Sequence, residues 1–267
     1  MTDLTGFFNL CHNRYSDEKN LTRYYSQVYS QNGEDGMIAE IFRRITAKDK
    51  FFVEIGVENG RECNTRFLLE MGWSGIWIEG DATRVAEAHA FFAPYVNTKR
   101  LTIVQSFITP DNIEAILRAS GAPAAFDFLS LDIDQYTSHI WKRIETYRPR
   151  AICIEYNASI PPSCAVEVPY IPDVAWDGSN WFGAGLKAIE TIGLNKRFRL
   201  VGCDYLGVNT FLVSEDEELG LFQAPFTAEF HYEPPKYHLT QHIGHPAAPS
   251  ARQWVVSAEA PAGSRES

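Results

Sequence analysis

Short apolar runs alternate with stretches of helical periodicity, and this rhythm limits the folds open to the chain more than any other feature. The runs lie at 51–55, 75–78, 101–105, 126–131 and 151–154, with candidate helices at about 61–71, 83–93, 110–119 and 137–147 between them. They lack clean period-two alternation, which suits strands covered on both faces. Alternating strand–helix units predict a parallel sheet with right-handed crossovers. Ahead of the first run, Met37, Ile38, Ile41, Phe42 and Ile45 share one face of a helix that begins near residue 33. Glu34 and Asp35 fall in its first turn, where the helix dipole favours acid.

After residue 154 the rhythm changes. A helix fits about 183–195, and then runs at 198–203 and 208–213 are separated only by 204–207. A parallel crossover needs a dozen residues or more, so these two runs predict an antiparallel hairpin. The expected class is α/β, with five parallel strands and a terminal hairpin in one mostly parallel seven-stranded Rossmann-like sheet. A chain of 267 residues without an internal repeat fits one large domain, which we place at 31–245. Residues 1–30 read as a polar, aromatic cap, and 246–267 as a disordered tail. Within the domain, 158–182 carries four prolines and several aromatics and is too long for a routine connection, so it reads as a lid or substrate loop.

Composition excludes some functions. The 24 Lys and Arg against 34 Asp and Glu give a net charge of −10, which disfavours a nucleic-acid partner because that affinity comes mainly from basic side chains. No segment approaches the ~20 apolar residues of a membrane span. The first residues lack the basic start and apolar core of a secretory signal. The five cysteines have no CxxC spacing, and Cys153 and Cys203 sit inside apolar runs. These features predict a cytoplasmic protein with neither a disulfide framework nor a zinc site. Oligomeric state stays open, a homo-oligomer included.

The first strand ends in Phe51-Phe-Val-Glu54-Ile-Gly56-Val-Glu58-Asn-Gly60. A glycine turn at that edge lets a ligand approach the backbone, and Glu54 can face a ligand amine. The second strand ends in Glu79, where an acid accepts hydrogen bonds from ribose hydroxyls. The dinucleotide fingerprint GxGxxG is absent; Gly56 and Gly60 are spaced GxxxG, with Glu58 between them. A carboxylate there would repel a pyrophosphate but tolerates an amine, a carboxylate and a cationic sulfur. That argues for S-adenosylmethionine. The other reading is a tight strand–helix turn with no ligand.

The span from about 28 to 214 resembles the FkbM-like branch of the class I S-adenosylmethionine-dependent methyltransferases. The resemblance rests on Ser30-Gln-Asn-Gly-Glu-Asp35, Phe52-Val-Glu-Ile-Gly56, Asn64-Thr65, Gly75-Ile-Trp-Ile-Glu79, Ser130-Leu-Asp-Ile-Asp134 and Gly207-Val-Asn-Thr-Phe211. The glycine loop departs from the commoner GxGxG form. The resemblance implies that Glu54 and Gly56 line the methionine portion of the cofactor and that Glu79 holds the ribose. It puts Asp81 beside the adenine, with Ser106 and Phe107 flanking the ring. Gln31 would close over the cofactor, or its segment would simply start a helix. The implied activity is O-methylation of a small hydroxylated metabolite, sugar or natural-product intermediate. N- or carboxyl-methylation, or a non-catalytic cofactor-binding protein, are the alternatives.

The fourth and fifth strands also end in acid: Asp132 and Asp134, then Glu155 with Asn157. Like charges brought together raise one another's pKa unless a cation neutralises them, and an oxygen-rich set suits Mg²⁺ or another hard divalent ion. Metal-dependent O-methyltransferases of related fold place acids at these strand ends. In the other reading Asp132 contacts the cofactor, Asp134 caps the next helix and no metal binds. The catalytic base would then be Asp134 or His139, the latter also readable as a helix-surface histidine. Trp176, Trp181 and Phe182 are expected to cover the acceptor pocket or to pack the loop; His231, His238, His242 and His245 form no ligand spacing.

Overall fold

The structure is a computed structural model that describes residues 13–172, 174, 176–236, 252 and 254–256. In chain order come α1 (Glu34–Ile45), β1 (Phe51–Ile55), α2 (Arg66–Glu70), β2 (Ser74–Glu79), α3 (Ala82–Phe91) and α4 (Ala93–Asn97). Then follow β3 (Leu101–Gln105), α5 (Ile113–Ala119), β4 (Ala125–Leu131), α6 (Thr137–Arg143), β5 (Arg148–Glu155) and β6 (Val166–Glu167). The chain continues with α7 (Leu186–Asn195), β7 (Phe198–Cys203), β8 (Asn209–Ser214), α8 (Ala228–His231) and β9 (Val255–Val256).

One seven-stranded sheet has the order β3-β2-β1-β4-β5-β8-β7. The β1, β2, β3, β4 and β5 pairings are all parallel. The terminal hairpin forms as expected, but its second strand, β8, lies against β5 and is antiparallel to both neighbours. The outer strand β7 therefore runs with the first five, and β8 alone is reversed.

The lack of alternation in the strand sequences has its cause in two apolar layers. Val53, Ile55, Ile76, Ile78, Leu129, Leu131, Ile152 and Ile154 pack against Ile113, Leu117, Ile140, Ile189 and Ile192 of α5, α6 and α7. Their in-between neighbours Phe52, Trp77, Phe128 and Cys153 pack against Met37, Ile38, Ile41 and Phe42 of α1 and Leu68 and Leu69 of α2. Both sheet faces are covered by helices, so most interior strand positions are apolar.

Some helices are shorter than their periodicity suggests. The stretch 61–65 forms a turn instead of the start of α2, because buried Glu54 holds it: Oε1 accepts from Asn64 N at 2.9 Å, and Oε2 accepts from Thr65 N at 2.9 Å and Thr65 Oγ1 at 2.5 Å. The lid region contributes β6, which pairs antiparallel with β9. That pair places Val255–Val256 in a strand inside the stretch expected to be a disordered tail; most of 246–267 lies outside the described residues, as do His238, His242 and His245. Among the described residues, no helix is long and apolar enough to cross a membrane.

Candidate active site

Because β1 to β5 run together, their carboxyl ends share one edge. β8 runs the other way, so its first residue, Asn209, joins that edge; it pairs with Glu155. A cavity of about 990 Å³ opens there. Its walls include Glu54–Asn59 after β1, Ile78–Gly80 after β2, Ser106–Thr109 after β3, Asp132–Tyr136 after β4, Glu155 of β5, and Val208 and Asn209 at β8. Gln31, Asn32 and Glu34 approach from the start of α1, and Tyr170, Val174 and Trp176 from the lid. This is the crevice outside the strand ends in which open α/β sheets bind ligands.

The β1 turn is shaped by one residue without a side chain. Gly56 has φ +85°, and a β-carbon there would sit 1.6 Å from the Asp132 carbonyl oxygen. The first and fourth strand ends thus cross in contact, and the glycine is fixed by packing as well as by backbone angle. Next to it, Glu58 pairs with Arg84 at 2.6 Å. The carboxylate expected to repel a pyrophosphate is therefore charge-paired, which weakens that argument against a dinucleotide.

Glu79 stands where the ribose acceptor is expected. Its Oε2 accepts from Glu58 N at 2.8 Å and Oε1 from Asp81 N at 2.9 Å, so two amides fix the carboxylate at the cavity wall. Each oxygen retains acceptor capacity for a ligand hydroxyl. Beyond it, Ser106 N donates to the Glu79 carbonyl oxygen at 2.8 Å, and Phe107 leaves its ring 78 % exposed at the cavity mouth, against Gly80. A flat face there is a stacking surface.

Three expected cofactor or metal residues are placed differently. Glu54 reaches the cavity wall, but its carboxylate turns inward to hold the 61–65 loop; burial pushes its pKa up. Asp81 caps α3, accepting from Thr83 N and Arg84 N at 2.7 and 3.0 Å, and is not in the wall; those amides hold its pKa low. Asn157 is fully buried and its amide donates to the Asn180 and Phe182 carbonyl oxygens at 2.8 and 3.0 Å, so it ties the lid and is not in the cavity wall.

Asp132, Asp134 and Glu155 do converge. One ligand atom from each lies within 4.8 Å of the others. Asp134 has φ +57°, a conformation an Asp tolerates better than most residues, and it stands exposed, whereas Glu155 is buried. Burial, then the charge of Asp134, push the Glu155 carboxyl well above the ordinary range, and a hydrogen bond with Asp132 opposes this. Oxygen-only donors at this spacing fit a hard divalent cation.

His139 is not in the cavity wall. Its Nε2 lies 2.8 Å from the Val168 carbonyl oxygen, and its ring packs near Tyr136 and Tyr170 at 6.0 and 5.8 Å. The position supports the lid. Of the lid aromatics, Trp176 lines the cavity, while Trp181 and Phe182 are buried and are not in its wall.

The Ser30–Asp35 segment leads into α1, which starts at Glu34. Asp35 Oδ2 accepts from the amides of Val28, Tyr29 and Ser30 at 2.7–2.8 Å, which folds the incoming chain onto α1. Gln31 and Asn32 thereby reach the cavity. Buried Glu34 accepts from Asn209 Nδ2 at 2.7 Å and joins α1 to β8. Gln135, Asn209, Glu34, Arg84 and Tyr170 also line the cavity, and none was assigned from sequence. Asn209 stood in a quoted motif without a role; nothing in the sequence pairs it with Glu34, 175 positions away.

No family model matches the sequence, and no curated protein matches it. Among solved structures, the fold is similar to a putative O-methyltransferase from Klebsiella pneumoniae at 16% identity, covering 80% of this chain and 91% of that one with a TM-score of 0.43. It is similar to the N-terminal domain of EvdMO1, solved with SAH bound, at 10% identity, 70% and 82% coverage and a TM-score of 0.42. It is also similar to the pyocyanin biosynthetic protein PhzM at 11% identity and a TM-score of 0.40, matching 66% of this chain and about half, 54%, of that protein. With strands in the order β3-β2-β1-β4-β5-β8-β7 and β8 alone reversed, the chain has a Rossmann-like, mostly parallel seven-stranded α/β fold.

Proposed function

We propose that this chain is an S-adenosylmethionine-dependent O-methyltransferase of the FkbM-like type, acting on a small hydroxylated metabolite, sugar or natural-product intermediate. One observation carries the reading: a single cavity joins a ribose-type acid, Glu79, and an exposed ring, Phe107, on the β2–β3 side to three clustered acids on the β4–β5 side. The first pair suits an adenosine, and the second set suits a reacting hydroxyl.

When bound, the cofactor would supply a sulfonium methyl group to the acceptor oxygen, the C–S bond breaking as the O–C bond forms and S-adenosylhomocysteine leaving as a neutral thioether. The protein's work is then to position both molecules and to take a proton. Glu79 orients the ribose, and Phe107 covers the adenine. The turn at Gly56 brings the β1 backbone close to the methionine end. The lid residues Tyr170 and Trp176 limit water at the acceptor side. Without a cation, Asp134, exposed at the cavity, is the carboxylate that takes the acceptor proton. Asp132, Asp134 and Glu155 would hold a divalent cation, whose contribution would be to lower the pKa of a bound hydroxyl.

Calorimetric titration with S-adenosylhomocysteine tests the reading. Saturable binding is expected, with no comparable binding of NAD; the reverse result would overturn it. For the metal, activity is expected to vanish in EDTA and return with Mg²⁺, and full activity in chelator would remove the metal from the scheme.

A further inference from the structure

We infer that the β4–β5–β8 half of the cavity is a subsite for a neutral polyhydroxylated acceptor, held through Gln135 and Asn209. The inference rests on the methyltransferase reading above and narrows its substrate class.

Two buried amides point to a ligand. Gln135 is 4 % exposed and lines the cavity, yet neither its side-chain oxygen nor its nitrogen has a hydrogen-bond partner among the described residues. Asn209 is 2 % exposed and lines the same cavity; its nitrogen donates to Glu34, and its Oδ1 has no partner. Buried polar atoms are almost always satisfied, and those that are not call for a partner. Here they border a cavity instead of a sealed core, so a bound molecule can supply it.

The strand order separates this subsite from the cofactor. Glu79 and Phe107 follow β2 and β3 on one side of β1, whereas Gln135 follows β4 and Asn209 begins β8 on the other. The unmet needs then define the ligand. Asn209 Oδ1 requires a donor, and the Gln135 amide requires both a donor and an acceptor. Hydroxyl groups serve in both roles.

Charge narrows the class further. Glu34, Asp132, Asp134 and Glu155 border this half, and the lining cations Arg61 and Arg84 belong to the β1–β2 side. Even with a divalent ion among the three acids, the formal charge of this half stays negative, so carboxylate and phosphate acceptors are disfavoured. Tyr136 and Tyr170, with ring centroids 5.0 Å apart, and Trp176 add apolar faces for the C–H side of a sugar-like ring.

The test uses the intact chain with ¹⁵N-labelled glutamine side chains, saturated with S-adenosylhomocysteine. The Gln135 amide signal is assigned by its loss in Gln135→Leu and, should that variant fold poorly, in Gln135→Glu. Methyl β-D-glucopyranoside and myo-inositol are the polyol probes, with 4-hydroxybenzoate as the anionic comparison. The Gln135 signal is expected to shift with the polyols and not with 4-hydroxybenzoate. Gln135→Leu should weaken polyol binding about tenfold or more while leaving S-adenosylhomocysteine affinity within about twofold. A shift caused by S-adenosylhomocysteine alone, a response to the benzoate only, or no response to either polyol overturns the inference. Failure of S-adenosylhomocysteine to bind the unmodified protein is a different result and overturns the methyltransferase reading instead.

Discussion

Gly56 and Asp132 meet where β1 and β4 end, so closely that a β-carbon on Gly56 would lie 1.6 Å from the Asp132 carbonyl oxygen. The contact places the glycine turn against the first of the three clustered acids. Gly56→Ala must move one strand end or the other, and it also puts an alanine at φ +85°. The expected loss is about 2–3 kcal/mol in urea unfolding, together with loss of S-adenosylhomocysteine binding. A variant as stable as the parent and still able to bind would show that the crossing is slack.

Glu79 is held by two backbone amides and faces the cavity. Removing a charged acceptor from a ligand hydroxyl costs about 1.5–3 kcal/mol, so Glu79→Ala should weaken S-adenosylhomocysteine binding roughly ten- to a hundredfold by calorimetry. Unchanged affinity would move the ribose elsewhere.

At the opposite edge of the sheet, Asp127 accepts from the amides of Lys48, Asp49 and Lys50 and from Arg150 Nη1 at 2.6 Å, which hold its carboxyl below the ordinary range despite burial. Arg150 also bonds Glu217 and the Ile45 and Thr46 carbonyl oxygens. Asp127→Ala leaves three amides and part of a guanidinium without their acceptor, and should cost about 3 kcal/mol. S-adenosylhomocysteine affinity should not change, because the site lies at the far ends of the strands.

His231 is buried on α8, and desolvation pushes its pKa down from 6.5 to about 4. Between those values the unfolded chain binds a proton that the folded chain does not, so stability rises with pH in that window and is lost as pH falls through it. The full effect is about 3 kcal/mol. Comparing unfolding free energies at pH 7 and pH 4, His231→Gln should lose less on acidification than the parent. Equal losses would mean that the histidine is solvated.

The strands were legible in the sequence because burial on both faces leaves apolar runs, as in Ile76-Trp-Ile and Ala151-Ile-Cys-Ile. The strand-end acids were legible too, since the edge of a parallel sheet collects whatever follows each run. Individual side-chain directions were not. Glu54 turns inward to Asn64 and Thr65, and Asn157 ties down the lid, because each is decided by a loop that folds back from elsewhere. The hairpin could be read from its short connection, but two equally apolar runs do not say which will sit against β5. Gln135 carries no sequence signal and Asn209 only its place in a motif without a role; their significance appears as unmet hydrogen bonds beside a cavity.

The placement of β8 between β5 and β7 has a consequence during synthesis. Six strands of the sheet leave the ribosome before the one that covers the outer edge of β5, and an uncovered strand edge invites pairing with another chain. The β1–β3 side of the crevice is complete at that stage, whereas the wall carrying Asn209 arrives last. Under the proposed function, a nascent chain paused before residue 209 would have the cofactor half of the cavity without part of the acceptor half.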